Sequence, residues 1–364
     1  MKKYTAGDYY NAVDAFAPFS LAESWDNVGL LIGSPETPVQ GALIALDATI
    51  PVLEEAGKMG ARLVITHHPI IFSGIKSIPA HSPVYRAIKD GTPVLCAHTN
   101  LDIATGGVND QLARRLGLDA AEILETTKAT PYRKVIVYAP HERAEAVYEA
   151  MTNAGAGSQG AYAGAAFFSG GEGRFLPLAG ANPAIGGVGR LEKVPETRIE
   201  MLVSPGDLEA VIGAMRAAHP YEEPAFDILE THFDRQRQGF GRVGNLKEPL
   251  SPEKFAAHVR ERLGLRGVKC VLGREEISRV AACGGAGAHL LEQAKKMGAQ
   301  ALVSGDAKHS QFLQAQELGI TLIDAGHYST EAVVLQTLLE QLTAALPGAE
   351  IALAKSCADP GIIA

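Results

Sequence analysis

Short apolar runs bounded by turn residues alternate along this chain with stretches whose apolar positions recur at helical spacing. Residues 5 to 19 read as an amphipathic helix with Val13 and Phe16 on one side. Glu23-Ser24-Trp25-Asp26-Asn27-Val28-Gly29 follows, an Asp-Asn-x-Gly turn that runs into a short strand. The run 42–46 reads as a strand, 51–59 as a helix with Pro51 at its start, and 63–65 as a buried strand ending at Thr66-His67-His68-Pro69. A helix over 83–90 leads to a strand over 93–96, which ends in Ala97-His98-Thr99-Asn100-Leu101-Asp102. Gly106-Gly107 then introduces a helix over 108–116. Alternation of this kind predicts an α/β fold with a doubly wound, largely parallel sheet.

The C-terminal part repeats the plan. The stretch from Leu53 to Ala61 matches the one from Leu291 to Ala299 at all but Glu55 against Gln293 and Gly57 against Lys295. In both copies a strand precedes the helix (42–46; 280–283) and another follows it (63–65; 301–303). The first copy ends that second strand at His67-His68, the second at Gly305-Asp306. One strand further on, His98 has Asp102 four residues later and His327 has Glu331 four residues later. Where such a pair begins a helix, both side chains fall on one face. Two similar α/β half-domains facing each other would bring these groups to a common cleft.

Between the halves lies a stretch of different character. It reads strand (134–138), helix (142–152), a glycine-rich hairpin region, strand (198–203), helix (205–218) and strand (225–228). That order is ferredoxin-like. The expected organisation is therefore a half-domain over 1–127, an inserted α+β domain over 128–239 and a second half-domain over 240–364.

Composition adds little to this picture except by exclusion. The chain has 364 residues, 46% of them hydrophobic, and a formal net charge of −8, which argues against nucleic acid as a partner. Its 4 cysteines (Cys96, Cys270, Cys283 and Cys357) include no Cys-x-x-Cys pair. That excludes a thiolate zinc ribbon and fits a reducing compartment. The start shows no apolar signal region and no run approaches a membrane span, so a cytoplasmic protein is expected.

The chemistry gathers on His67, His68, Asp102, His327 and Glu331. Three imidazoles and two carboxylates exceed what one tetrahedral structural zinc uses. They suit two divalent ions about 3.5–4 Å apart, with a bridging carboxylate and water as the nucleophile. Nitrogen and oxygen donors without thiolate favour Zn, Fe, Mn or Co. His98 reads either as a sixth ligand or as a group hydrogen-bonded to a ligand carboxylate. Asp47 and Asp306 end strands at the same sheet edge, where each orients a ligand, acts as a base or is simply solvated. Lys308 and His309 are the hints of an anionic-substrate contact. Trp25, the only tryptophan, reads first as a core anchor and second as a ligand contact. Gly239 to Gly244 matches Gly-x-Gly-x-x-Gly but leads into no helix, so it fails as a dinucleotide fingerprint. Cys283-Gly284-Gly285-Ala286-Gly287 does lie between a strand and a helix. Its backbone amides either receive a phosphate or merely serve a tight turn.

Ser24 to Leu30, Thr66 to Pro69, His98 to Asp102, Gly305 to His309 and Gly326 to Glu331 together resemble the dinuclear-metal-centre family labelled GTP cyclohydrolase I type 2 homologue. The motifs span both halves in the family's order. The insert, with His219-Pro220-Tyr221-Glu222-Glu223-Pro224, resembles the PII/CutA-type domain of the longer bacterial members. The resemblance implies two metals on His67, His68, Asp102, His327 and Glu331, and a ring-shaped homohexamer whose metal sites face an internal cavity. It also implies hydrolytic opening of a nucleotide base, with GTP or a related small molecule as substrate. A non-catalytic metal-binding ring, whose insert senses a ligand or docks a partner, is the competing reading.

Overall fold

A computed structural model describes residues 4–361. The chain forms two compact units, one made of Met1–Lys128 with Gln238–Ala364, the other of Ala129–Arg237. The fold is mixed α/β, with parallel and antiparallel strands.

The first unit holds two sheets with the same parallel core. In one, strands Glu350–Leu353, Gly41–Ala45, Leu63–Thr66 and Val94–Cys96 run parallel, and Gly29–Ile32 closes the edge in the opposite sense. In the other, Ile277–Ala282, Ala301–Ser304 and Thr321–Asp324 run parallel, with antiparallel neighbours at Lys269–Val271 and at Arg242 to Asn245. Gly41–Ala45, Leu63–Thr66, Val94–Cys96 and Ala301–Ser304 are buried throughout. Burial on both faces is why these strands read as continuous apolar runs rather than as alternation.

Local chemistry sets the helix ends. Thr49 accepts a hydrogen bond from the Val52 amide and Ser82 one from the Tyr85 amide, with Pro51 and Pro83 in the first turns. The helix Pro83–Asp90 stops at Gly91, whose φ of 62° is left-handed. The repeated segment forms the helix Ile50–Lys58 in one copy, and a 3₁₀ turn Gly287–Leu290 with the helix Leu291–Lys296 in the other. Leu53, Ala56, Leu291 and Ala294, identical between the copies, are all buried. The repeat thus preserves the face that packs on the sheet.

Beyond Leu353 the chain is laced down as a strap. Ala354 donates to Ile44 O (2.8 Å), and Glu55 accepts from the amides of Lys355 (3.0 Å) and Ser356 (2.8 Å). The Tyr328 hydroxyl donates to Cys357 O (2.9 Å), and the Leu46 amide to Cys357 Sγ (3.2 Å).

In the second unit the helices Ala144–Asn153 and Leu208–Ala218 bury Val147, Met151, Val211 and Met215 with Val135, Val137, Ile199 and Met201 of the sheet. The strand Glu192–Val203 pairs antiparallel with both Ala166–Phe175 and the Arg133 to Pro140 stretch. The glycine-rich region expected as hairpins and loops contributes one of these strands, Ala166–Phe175. The helix expected from Pro205 begins instead as a 3₁₀ turn Pro205–Asp207, and Ser204 makes no side-chain cap. Among the described residues, no helix is long and apolar enough to cross a membrane. All 4 cysteines are free.

Candidate metal centre

His67 and His68 leave the carboxyl end of the buried strand Leu63–Thr66, where the chain first escapes the sheet. His327 and Glu331 open and close the short helix His327–Glu331, so their side chains meet on one face, Nε2 to Oε2 at 3.1 Å. Asp102 lies on the matching helix Thr99–Ile103, and His98 is that helix's N-cap, its Nδ1 held by Asp26.

These groups converge around one carboxylate. Glu331 Oε2 is 2.9 Å from His68 Nε2, 3.1 Å from His327 Nε2 and 3.7 Å from His67 Nε2. His67 Nε2 is also 3.6 Å from Asp102 Oδ1. Three overlapping triads (His67, His68, His98; His68, His327, Glu331; His67, Asp102, Glu331) each hold their donor atoms within 4.8 Å of one another. His67 Nε2 and Asp102 Oδ1 are buried without a hydrogen-bond partner. Burying an imidazole nitrogen against a carboxylate oxygen with nothing between them is costly, and a shared cation satisfies both. The donors present fit a divalent metal.

Each imidazole is held from behind. His67 Nδ1 lies 2.9 Å from Ala97 O, His68 Nδ1 2.8 Å from Asp47 Oδ1, His327 Nδ1 2.7 Å from Asp306 Oδ2 and His98 Nδ1 2.8 Å from Asp26 Oδ1. An oxygen at Nδ1 fixes the ring and leaves Nε2 as the inward donor, which is how metal-binding histidines are oriented. Asp47 and Asp306 are therefore engaged rather than merely solvated. Asp306 adopts φ 50°, a left-handed conformation uncommon outside glycine, to reach its histidine.

Electrostatics match this geometry. Burial works against an ionised Glu331, yet the three imidazoles hold its carboxyl well below the usual range. Burial likewise opposes charge on His68, but Asp47 and Glu331 raise it to about 10. Glu331 raises His327 to about 9. Asp102 behaves oppositely, because burial pushes its carboxyl up to about 6 against the pull of His67. The carboxylates demand positive charge at this point.

Trp25 is not a core anchor. It is 58% exposed, its ring centroid 6.0 Å from Phe72 and 6.3 Å from His98. The neighbouring acid is the informative residue. Asp26 takes the Thr99 amide (3.0 Å) as well as the His98 ring, and Asn27 Nδ2 donates to Ile71 O (2.6 Å). One turn thus ties the His67-His68 loop to the Asp102 helix. Asn109 bonds Asp102 O and the Gly284 amide, tying the Thr99–Ile103 helix to the Gly284 turn.

The Gly284 to Gly287 turn serves packing. Its amides at Gly284, Gly285 and Gly287 are taken by Asn109 Oδ1, Thr330 Oγ1 and Ser304 Oγ. A side chain at Gly285 would collide with Glu331. With those donors committed, the turn is not a phosphate cradle. The centre opens into a cleft of about 690 Å³ lined by Glu23, Trp25, Phe72, His98, Glu125 and Phe240 among others. Lys308 and His309 are exposed and do not line it.

Comparison with known proteins identifies the family. The Duf34/NIF3 (NGG1p interacting factor 3) family profile matches residues 4–360. A Bacillus subtilis protein called GTP cyclohydrolase 1 type 2 homolog is 40% identical over 335 residues, 91% of this chain and 90% of its own length. A Mycobacterium tuberculosis protein of the same name is 36% identical over 368 residues, covering 97% of this chain and 95% of its own. The crystal structure of a Bacillus cereus protein related to NIF3 superposes over 100% of both chains with TM-score 0.83 at 36% identity. This chain belongs to the Duf34/NIF3 family.

Proposed function

We propose that the protein is a dinuclear metal-dependent hydrolase of a small molecule, with His67, His68, Asp102, His327 and Glu331 as its ligands. The observation that carries this reading is Glu331 Oε2 lying within 3.7 Å of three imidazole nitrogens, with His67 Nε2 and Asp102 Oδ1 otherwise unpartnered. Two divalent ions, drawn from Zn, Fe, Mn or Co, would supply an acidified water and polarise the bond it attacks. The chain's own residues do the rest. Glu331 would be the carboxylate the ions share, Asp47 and Asp306 fix the rings of His68 and His327, and Asp26 holds His98 by Nδ1. The free Nε2 of His98 is then the atom placed to carry a proton between cleft and centre. The relatives' name suggests GTP cyclohydrolase chemistry, and a cyclic amide or amidine is the bond type such a centre would open.

We further read the 129–237 unit as an inserted ferredoxin-like domain of PII/CutA type, and the first unit as two similar half-domains. Supporting this are the strand–helix–strand–strand–helix–strand order of the insert and the matching parallel cores. The free cysteines favour a cytoplasmic setting, and a homohexameric ring is the assembly we expect. A regulatory role for the insert has its own support, a cavity of about 260 Å³ lined by Tyr138, Phe175, Glu196 and Tyr221.

The deciding measurement is elemental analysis of protein purified without added metal, alongside Glu331→Ala. About two transition-metal ions per chain, largely lost in the variant, is the expected result. No metal in either protein after reloading would sink the hydrolase and leave a ligand-binding scaffold.

A further inference from the structure

Glu23 lines the cleft above the metal centre, its amide donating to Thr99 Oγ1 at 3.0 Å. Its carboxylate Oε1 is buried and has no hydrogen-bond partner. Native proteins seldom keep a buried acceptor unmatched, and a ligand that supplies the donor is one way they resolve it. Beside it stand two large aromatic side chains that the core does not claim, Trp25 at 58% and Phe72 at 57% exposure. Exposed aromatics at the mouth of a cleft are suited to the faces of a planar ring. Among the described residues lining the cleft there is no lysine or arginine, whereas Glu23, Glu125, Asp102 and Glu331 are all present. A polyphosphate would find no lysine or arginine there to clamp it, and its charge would meet those carboxylates.

We propose that the cleft selects a planar nitrogen heterocycle by its N–H-bearing edge, and not by a phosphate. Glu23 accepts from a ring N–H and its adjacent amino group, while Trp25 and Phe72 flank the ring. This rests on the hydrolase reading only in taking that heterocycle as the centre's substrate. Glu23 is then a specificity residue that the ligand motifs do not announce.

Because Trp25 is the chain's only tryptophan, its emission reports binding directly in the metal-loaded, full-length protein. Guanosine presents the paired N–H and amino donors, inosine the ring N–H alone, and adenosine a ring acceptor in that place. The expected result is quenching in the order guanosine, inosine, adenosine, with about 10-fold or more between the first and last. GTP should bind no more tightly than guanosine. Glu23→Gln should weaken guanosine about 10-fold or more and erase the order, with metal content unchanged. Three results would each overturn the proposal: no quenching by any of the four ligands, GTP markedly tighter than guanosine, or the order surviving in Glu23→Gln. The wild-type comparison stands without the variant, should that fail to fold. Ordered binding with no hydrolysis of any ligand would sink the hydrolase while leaving this inference intact.

Discussion

At the scale of single residues, the centre is built by acids that never face the cleft. Asp47 follows the strand before the one that delivers His68, and Asp306 follows the strand before the one that delivers His327. Each histidine is thus held from the neighbouring strand end. Removing either acid, as Asp47→Ala or Asp306→Ala, should lower metal affinity about 10- to 100-fold. Competition with a chromogenic chelator reads this directly, and unchanged affinity would show these bonds to be incidental. The clustering of His67, His68, Asp102, His327 and Glu331 was legible because they sit at or just after strand ends marked by an internal repeat. Asp26 was not, since its bond to His98 spans 72 positions and no periodicity links them. Trp25 was misread for a related reason. A lone tryptophan ordinarily belongs to a core, and only tertiary structure shows that nothing covers it.

At the scale of elements, the positions of the repeat that are buried in both copies, Leu53, Ala56 and Ala61 against Leu291, Ala294 and Ala299, are identical. Leu53→Ala and Leu291→Ala each remove a fully packed side chain from equivalent places on a sheet. Each should cost about 2–5 kcal/mol in a denaturant titration. A loss well under 1 kcal/mol at either position would mean that its site collapses around the gap. The short, fully buried parallel strands were readable from sequence, but the long ones were not. Asp119–Pro140 and Phe226–Leu250 were expected only as 134–138 and 225–228. Much of the first, including Glu125-Thr126-Thr127-Lys128, is polar and without a buried face, so neither helical nor alternating periodicity marks it.

At the scale of the whole molecule, the C-terminal strap couples the chain's end to the site's surroundings. The Ser356 hydroxyl and the Lys355 amide hold the Glu55 carboxyl below its ordinary value. A carboxyl depressed on folding stabilises the strap above its unfolded pKa and ceases to do so as pH falls through the folded one. Hydrogen exchange at Lys355 and Ser356, corrected for intrinsic rates, should therefore rise as the pH drops below about 4.3. Exchange that stays flat there would mean that Glu55 does not secure the strap.

One distance in sequence has a consequence in time. His68 and Glu331, in contact in the finished centre, are 263 residues apart. At about 5–20 residues per second of translation, roughly 13 to 53 seconds separate their synthesis. Throughout that interval the nascent chain presents two adjacent imidazoles without the carboxylate that completes their site. Completion of this cluster is thus a late event on the ribosome or one that follows release. A chain truncated before Glu331 would carry His67 and His68 but lack the carboxylate on which they converge.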